Sequence, residues 1–313
     1  MGVSTTSEKE YGAVAFVILH YMSDNLTRDC IDSVLRLNNG KKGAAVRCVV
    51  VDNASGNGSL ERLLEHYGDD NQAVHFIANP GNLGFSRANN IGYRYARDSW
   101  DPDFIIVANN DIQVTQADFL DALGEVYREK RPYLIGPDIY CERLGFHQSP
   151  MNRFPSMEMA RDMLDHYMKP DTNGSPRDVL KHLGYGTPGV RSLLAKRSLR
   201  KNLELQRAFE GWKDEHSDRM TLQGACLIFT RDFIDTGEDP FSPETFLYEE
   251  ENILAWRFAK NGWPVLYTPR LQIVHYNDGA TDIVLKDRKA KEAFLRENEI
   301  ASLGVLIDYM SGE

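Results

Sequence analysis

Several things are scarce in this sequence, and each scarcity narrows what the protein can be. No apolar run reaches the roughly 18 to 20 residues that a membrane-spanning helix needs. The four cysteines (Cys30, Cys48, Cys141 and Cys226) are scattered and form no CxxC pair. Neither a zinc site nor a disulfide framework is therefore suggested, and buried reduced thiols are expected. Positive charge is short as well: the formal net charge of −10 argues against a general nucleic-acid binder, which must neutralise phosphates with Lys and Arg. No GxGxxG follows the first strand-like run and no GxxxxGK[ST] occurs, so neither a standard dinucleotide fold nor a P-loop is indicated. Repeats and low-complexity tracts are lacking too. The opening MGVSTTSEKEYG is polar and acidic, not basic and then apolar, and is not expected to be a secretory signal. An ordinary cytoplasmic composition is what these absences leave: 313 residues, 42% hydrophobic and 26% charged.

What is present is an alternation. AVAFVILHY (13–21), RCVVVDNAS (47–55), AVHFIANP (73–80) and DFIIVANND (103–111) are short apolar runs that suit strands buried on both faces. Between them NLTRDCIDSVLRLN, SLERLLEHY and SRANNIGYRYARDS have helical spacing. Strand and helix in turn predict an α/β fold with a mostly parallel central sheet flanked by helices. Polar residues gather after the strands, where such sheets form one ligand crevice. Residues 11–112 thus read as a nucleotide-binding half and 113–280 as a second half. The second half carries a helical insertion at about 150–218, then LQGACLIFTRDF, FLYEEENILAWRFAKNGW and PVLYTPRLQIVHY. Residues 1–280 form the expected single domain, with 281–313 as a C-terminal helical extension.

Local patterns leave the chemistry open. Asn109, Asn110 and Asp111 at a strand end suit either a tight turn or a ligand site, with Asp111 an oxygen ligand for Mg²⁺ or Mn²⁺. NPGNLGFSRANN is either a plain strand-to-helix turn or an anion site built from backbone amides and Arg87. The glutamates of YEEEN (248–252) are favoured at a helix N-terminus by the dipole alone. Their apolar flanks also suit a general base of shifted pKa. RSLLAKRSLRKNLELQR (191–207) is basic, either a solvated helix face or a surface for anionic lipid.

Taken in order, VVVDNASGNGS, NPGNLGFSRANNIGY, IIVANND, QGACLIFTRDF, FLYEEENILAWR and the late His275 resemble the family 2 inverting glycosyltransferases with the GT-A fold. The likeness is greatest to their bacterial rhamnosyltransferase-like branch and spans about residues 13–278. It implies that Asp52 meets the donor nucleobase, and that Asn82, Gly84 and Arg87 belong to the loop beside the nucleotide. Asn109 and Asp111 take the outer places of the metal-binding DxD motif, with His275 completing the shell around Mg²⁺ or Mn²⁺. Glu250 and Glu251 stand where the family has Glu-Asp, the second position being the base that deprotonates the acceptor hydroxyl. Arg257 matches the arginine that closes this motif.

The resemblance implies transfer of a sugar from a nucleotide-diphosphate sugar, of dTDP-rhamnose or UDP-hexose type. The acceptor would be a hydroxyl of a glycan or lipid-linked saccharide in surface polysaccharide synthesis. An acceptor on a membrane lipid would be met at the inner face of the cell membrane, with 191–207 the candidate contact. Three departures bear on this: Asn109 replaces an aspartate, Glu251 is one methylene longer than the family base, and Ile253 stands where a further aspartate is usual. They leave Glu250 in play as the base. They also keep open a catalytically impaired sugar-nucleotide-binding scaffold, with a sugar nucleotidyltransferase as a more distant alternative.

Overall fold

The computed structural model describes residues 12–38, 46–68, 71–151, 154–168, 210–217, 219–276 and 288–312. The basic stretch 191–207 lies outside them. The expected apolar runs do form strands: β1 (Val14–His20), β2 (Val46–Asp52), β3 (Val74–Ala78) and β4 (Phe104–Asn109). Helices α1 (Asp24–Leu35), α2 (Ser59–Tyr67) and α3 (Gly84–Trp100) connect them. There follow β5 (Ile112–Gln113), α4 (Phe119–Lys130), β6 (Leu134–Cys141), β7 (Phe146–His147) and α5 (Met157–Met168). Last come β8 (Cys226–Thr230), α6 (Arg231–Ile234), α7 (Glu250–Asn261), β9 (Val265–His275) and α8 (Arg288–Ser311).

Among the described residues the strands make one sheet in the order β3-β2-β1-β4-β8-β6-β9-β5, with β7 paired to β6. β1 pairs in parallel with both β2 and β4, and β6 in parallel with β9. β8 runs antiparallel to β4 and to β6. Alternate residues of the strands divide between two cores, which explains their unbroken apolar character. Val14, Phe16 and Ile18 pack with Ile31 and Val34 of α1 and with Phe119 and Leu123 of α4. Ala15 and Val17 face the other way, toward Ala88 and Tyr93 of α3, Phe233 of α6 and Phe258 of α7.

This topology decides what meets at the carboxyl edge of the sheet. β2 and β4 end there in Asp52 and Asn109. Because β8 runs the opposite way, its beginning lies at that edge: Ala108 pairs with Cys226, and the Asn109 amide donates to the Ala225 carbonyl at 2.9 Å. The QGA segment thereby joins a strand end more than a hundred residues earlier. Beyond the sheet, α5 and α8 pack together on α7, where Ala160, Ile253, Leu303 and Leu306 are buried as a third apolar cluster. All four cysteines are buried and free. No helix among the described residues is long and apolar enough to cross a membrane.

Candidate active site

The residues expected beside the nucleotide form a network centred on Asn53. Its side-chain amide donates to Asn82 Oδ1 (2.9 Å) and to the Gly84 carbonyl (3.1 Å), while its oxygen accepts from the Leu83 amide (2.9 Å). The loop named by the sequence is thus tied to the end of β2. Asp52 beside it is buried and accepts from the amide and hydroxyl of Ser55. His20, at the end of β1, lies 3.7 Å from Asp52 and is held by Thr27 (2.7 Å) and Ser59 (2.8 Å). Burial pushes its pKa below the ordinary histidine value, against the pull of Asp52. His20 and Ser55 were not singled out from sequence. Their signal, polar residues beside an apolar strand end, is too common to select them.

Asn109, Asn110 and Asp111 turn out to have three different tasks. Asn109 lines a cleft of about 330 Å³. Asn110 is a bracket, its amide donating to Thr27 Oγ1 of α1 at 2.9 Å. Asp111, buried, faces His275, whose Nε2 is 3.2 Å from Asp111 Oδ1. The pairing of Ile112 with His275 across β5 and β9 sets this meeting, and the Tyr276 amide adds a bond to the Asp111 carbonyl at 2.9 Å. His275 Nδ1 lies 2.6 Å from Gln148 Oε1. A bond to that oxygen puts the proton of a neutral ring on Nδ1 and turns the Nε2 lone pair toward the carboxylate.

A divalent cation suits this pair. Two atoms each about 2.1 Å from one cation at a right angle stand about 3.0 Å apart, close to the observed separation. Carboxylate and imidazole also belong to the ligand types that Mn²⁺ accepts. Among the described residues no group of three or more His, Cys, Asp or Glu side chains could hold a metal ion. Two protein ligands suit a cation that keeps waters and substrate phosphate oxygens.

The acidic cleft is the second centre. Asn109 shares it with Phe85, Gly224, Tyr248, the run Glu249-Glu250-Glu251 and Glu299 of α8. The glutamates open α7 after two residues of left-handed backbone, Tyr248 (φ 73°) and Glu249 (φ 61°). Left-handed geometry at a non-glycine residue costs on the order of 1 kcal/mol or more and is found where surroundings impose it. Those surroundings are visible here. The Phe246 carbonyl accepts from the Phe85 amide (2.7 Å), and the Leu247 carbonyl accepts from Ser302 Oγ of α8 (2.7 Å). Gly84, itself left-handed at φ 76°, lies so close to the Phe246 backbone that no Cβ fits.

The three glutamates differ sharply. Glu249 Oε2 accepts from the Asn252 amide at 2.6 Å. Glu251 Oε1 accepts from the Gly224 amide at 3.2 Å, and a Cβ on Gly224 would stand 2.7 Å from that oxygen. The glycine of QGA is therefore the space into which Glu251 fits. Glu250 is 7% exposed, and its Oε1 is buried with no hydrogen-bond partner among the described residues. Burial, with repulsion from Glu251, Glu249 and Glu299, pushes its pKa from 4.5 up to about 8. That rise amounts to roughly 5 kcal/mol at about 1.4 kcal/mol per pH unit. A helix N-terminus supplies about 0.3–1 kcal/mol in the other direction, so burial wins.

Two expected site residues point elsewhere. Arg87 Nε donates to the Pro243 carbonyl at 2.6 Å. Arg257 donates to the carbonyls of Pro240 (3.0 Å) and Asp239 (3.1 Å), and lines a separate hollow with Arg94 and Arg97. Both arginines brace the 238–243 loop. Neither lines the acidic cleft.

Comparison with known proteins agrees with this arrangement. The hexosyltransferase Agl10 of low-salt glycan biosynthesis in Haloferax volcanii is 29% identical over 145 residues, covering 46% of this chain and 41% of Agl10. The N-acetylglucosaminyl-diphospho-decaprenol L-rhamnosyltransferase of Mycobacterium tuberculosis is 24% identical over 244 residues, covering 75% of this chain and 68% of that protein. Among solved structures, GalNAc-T7 with UDP, GalNAc and Mn²⁺ aligns with a TM-score of 0.54 at 12% identity, over 86% of this chain and 44% of that one. Staphylococcus aureus TarS 1–349 with UDP aligns at 0.50 and 12% identity, over 84% of this chain and 60% of that one. These structural likenesses show that the fold is that of the GT-A glycosyltransferases. The family model "Glycosyl transferase family 2" matches residues 15–183, more than half of the 313, and the chain belongs to that family.

Proposed function

We propose that the protein transfers a sugar from a nucleoside diphosphate sugar to a hydroxyl of a glycan or lipid-linked saccharide, with inversion at the anomeric carbon. The observation that carries this reading is Glu250. It is a buried carboxylate with one unpaired oxygen and a pKa raised to about 8, in a cleft shared with a strand-end asparagine. A general base works best with a pKa near the operating pH, where it is both available and basic enough.

In the proposed step Glu250 takes the proton from the acceptor hydroxyl. The acceptor oxygen bonds to the anomeric carbon from one side, and the bond to the diphosphate breaks on the other. Nucleoside diphosphate leaves. The family resemblance puts the base at Glu251; the Gly224 amide donates to one oxygen of that carboxylate, which supports a positioning role for it beside Glu250. Asp52, Asn82 and Gly84 frame the donor side, with Arg87 bracing it from the 243 loop. Asp111 and His275 would hold Mg²⁺ or Mn²⁺, which supplies charge neutralisation to the leaving diphosphate. A lipid-linked acceptor is supported by the Mycobacterium tuberculosis relative, whose name describes a diphospho-decaprenol substrate. Surface glycan assembly is the setting proposed from the family resemblance, and the Haloferax volcanii relative, named for low-salt glycan biosynthesis, supports a glycan product.

The test is nucleoside diphosphate release from dTDP-rhamnose and from UDP-hexoses with Mn²⁺, for wild type, Glu250→Gln and Glu251→Gln. Glu250→Gln is expected to lower turnover by about 10²–10⁴-fold, the range for loss of a general base. Glu251→Gln should cost less. Wild-type rates from Glu250→Gln would remove the base assignment, and pyrophosphate as product would replace transfer with nucleotidyl chemistry.

A further inference from the structure

The C-terminal helix reaches the acidic cleft, where Glu299 of α8 stands among the lining residues with Glu250, Tyr248 and Asn109. Among the described residues no Lys or Arg lines this cleft. Its volume of about 330 Å³ lies at the small end of ligand pockets, which run from about 300 to 1,000 Å³. A small ligand rich in hydroxyl groups matches such walls, because carboxyl oxygens accept hydrogen bonds from hydroxyls.

α8 is anchored on both sides of Glu299, so the carboxylate is held in place. Phe294 meets Phe246 edge to face with ring centroids 6.2 Å apart, and Arg296 Nε donates to the Tyr167 carbonyl at 2.6 Å. After Glu299, Ser302 is bonded to Leu247, and Leu303 and Leu306 are fully buried. Further along, Trp256 Nε1 donates to the Tyr309 carbonyl at 3.2 Å. Two of these anchors, Phe246 and Leu247, belong to the segment that leads into the strained turn before Glu250. The helix and the proposed base are thus built on one support. The charge of Glu299 also raises the pKa of Glu250 and of Tyr248, which places the three groups within electrostatic reach of each other.

We propose that Glu299 is an acceptor-binding residue, its carboxylate receiving a sugar hydroxyl close to the one that Glu250 deprotonates. The inference rests on the glycosyltransferase reading and adds a residue from the C-terminal helix to its acceptor site. A charge-assisted hydrogen bond of this kind orients the acceptor without touching the donor.

The experiment pairs a donor panel (dTDP-rhamnose, UDP-glucose, UDP-galactose, UDP-N-acetylglucosamine) with methyl glycosides of glucose, galactose, N-acetylglucosamine and rhamnose as acceptor probes. For the pair that wild type turns over, Glu299→Gln and Glu299→Ala are expected to raise acceptor KM about 10- to 100-fold. The melting shift induced by the donor should stay at the wild-type value. Should Glu299→Ala fail to fold, Glu299→Gln keeps shape and size and carries the test. Unchanged acceptor KM in a folded Glu299→Gln variant overturns the inference alone. So does an equal loss of donor affinity and turnover, which would mark a structural role. A wild-type protein that turns over no pair overturns the glycosyltransferase reading, and the inference with it.

Discussion

Glu250 brings function and stability into opposition at a single residue. In the folded protein its pKa is about 8, against 4.5 for an ordinary glutamate. Between those values the folded state holds a proton that the unfolded state has released. The contribution of Glu250 to stability is therefore fully present below about pH 4.5 and is lost as pH rises through about 8. With Glu250 in its proposed role as the base, activity moves the other way, since a base must be deprotonated. The groups facing Glu250 are Glu249 and Glu251 on its own helix, Tyr248 before it and Glu299 from α8. The three glutamates disfavour its ionised form, and a backbone hydrogen bond favours it. The rate of transfer is expected to climb with pH through about 8 and then level off, as a pH–rate profile would read. Glu250→Gln should melt several degrees higher than wild type at pH 8.5 and show little difference near pH 4.5, because Gln carries no charge to bury. A melting point independent of this substitution at both pH values would contradict the raised pKa. Conflict between a stable residue and a useful one is common where a site needs a buried charge.

Among structural elements, the loop before α7 is the joint on which the site depends. It is pinned from the donor side by Phe85 at the start of α3 and from the other side by Ser302 of α8. Gly84→Ala puts a methyl group against the Phe246 backbone at a left-handed residue. A loss of roughly 2–4 kcal/mol is expected from strain and overpacking together, read as a lower urea midpoint. Gly224→Ala meets only the end of the flexible Glu251 side chain, so it should cost less stability and act chiefly by displacing that carboxylate. Leu306→Ala opens a hole between α5, α7 and α8, and should cost about 2–5 kcal/mol in the same assay. Sequence patterns marked the runs of α7, β8 and β9, but not β5, α4, β6 or β7 between Ile112 and His147, and β6 is instructive. There Gly136 and Pro137 interrupt LIGPDIYC, and a register shift falls between Pro137 and Asp138. A proline inside a run argues against a central strand, yet here the irregular register accommodates it.

For the molecule as a whole, the sheet brings together groups that local sequence cannot rank. Donor with Mn²⁺ is expected to raise the melting temperature of wild type, by about 2.7 kcal/mol of stabilisation when the ligand is a hundredfold above its Kd. Asp111→Ala should lose the Mn²⁺-dependent part of that shift. An undiminished shift would detach Asp111 from the metal.

The sequence by itself determined the strands β1 to β4: β1, β2 and β4 are buried on both faces and must be largely apolar, while β3, at the sheet edge and mostly half-buried, still carries a short apolar run. It also determined the order of polar strand ends, since Asp52, Asn109 and Asp111 follow those runs directly. Tertiary structure decided the rest. It buried Glu249 and Glu250 alike, but it gave Glu249 the Asn252 amide and Glu251 the Gly224 amide and left Glu250 Oε1 without a hydrogen-bond partner among the described residues. It turned Arg87 and Arg257 toward backbone carbonyls of the 238–243 loop, and it carried Glu299 into the cleft from the C-terminal helix. Burial and electrostatic repulsion depend on which distant segments pack around a side chain. Adjacent glutamates in one run look alike until the fold surrounds them differently.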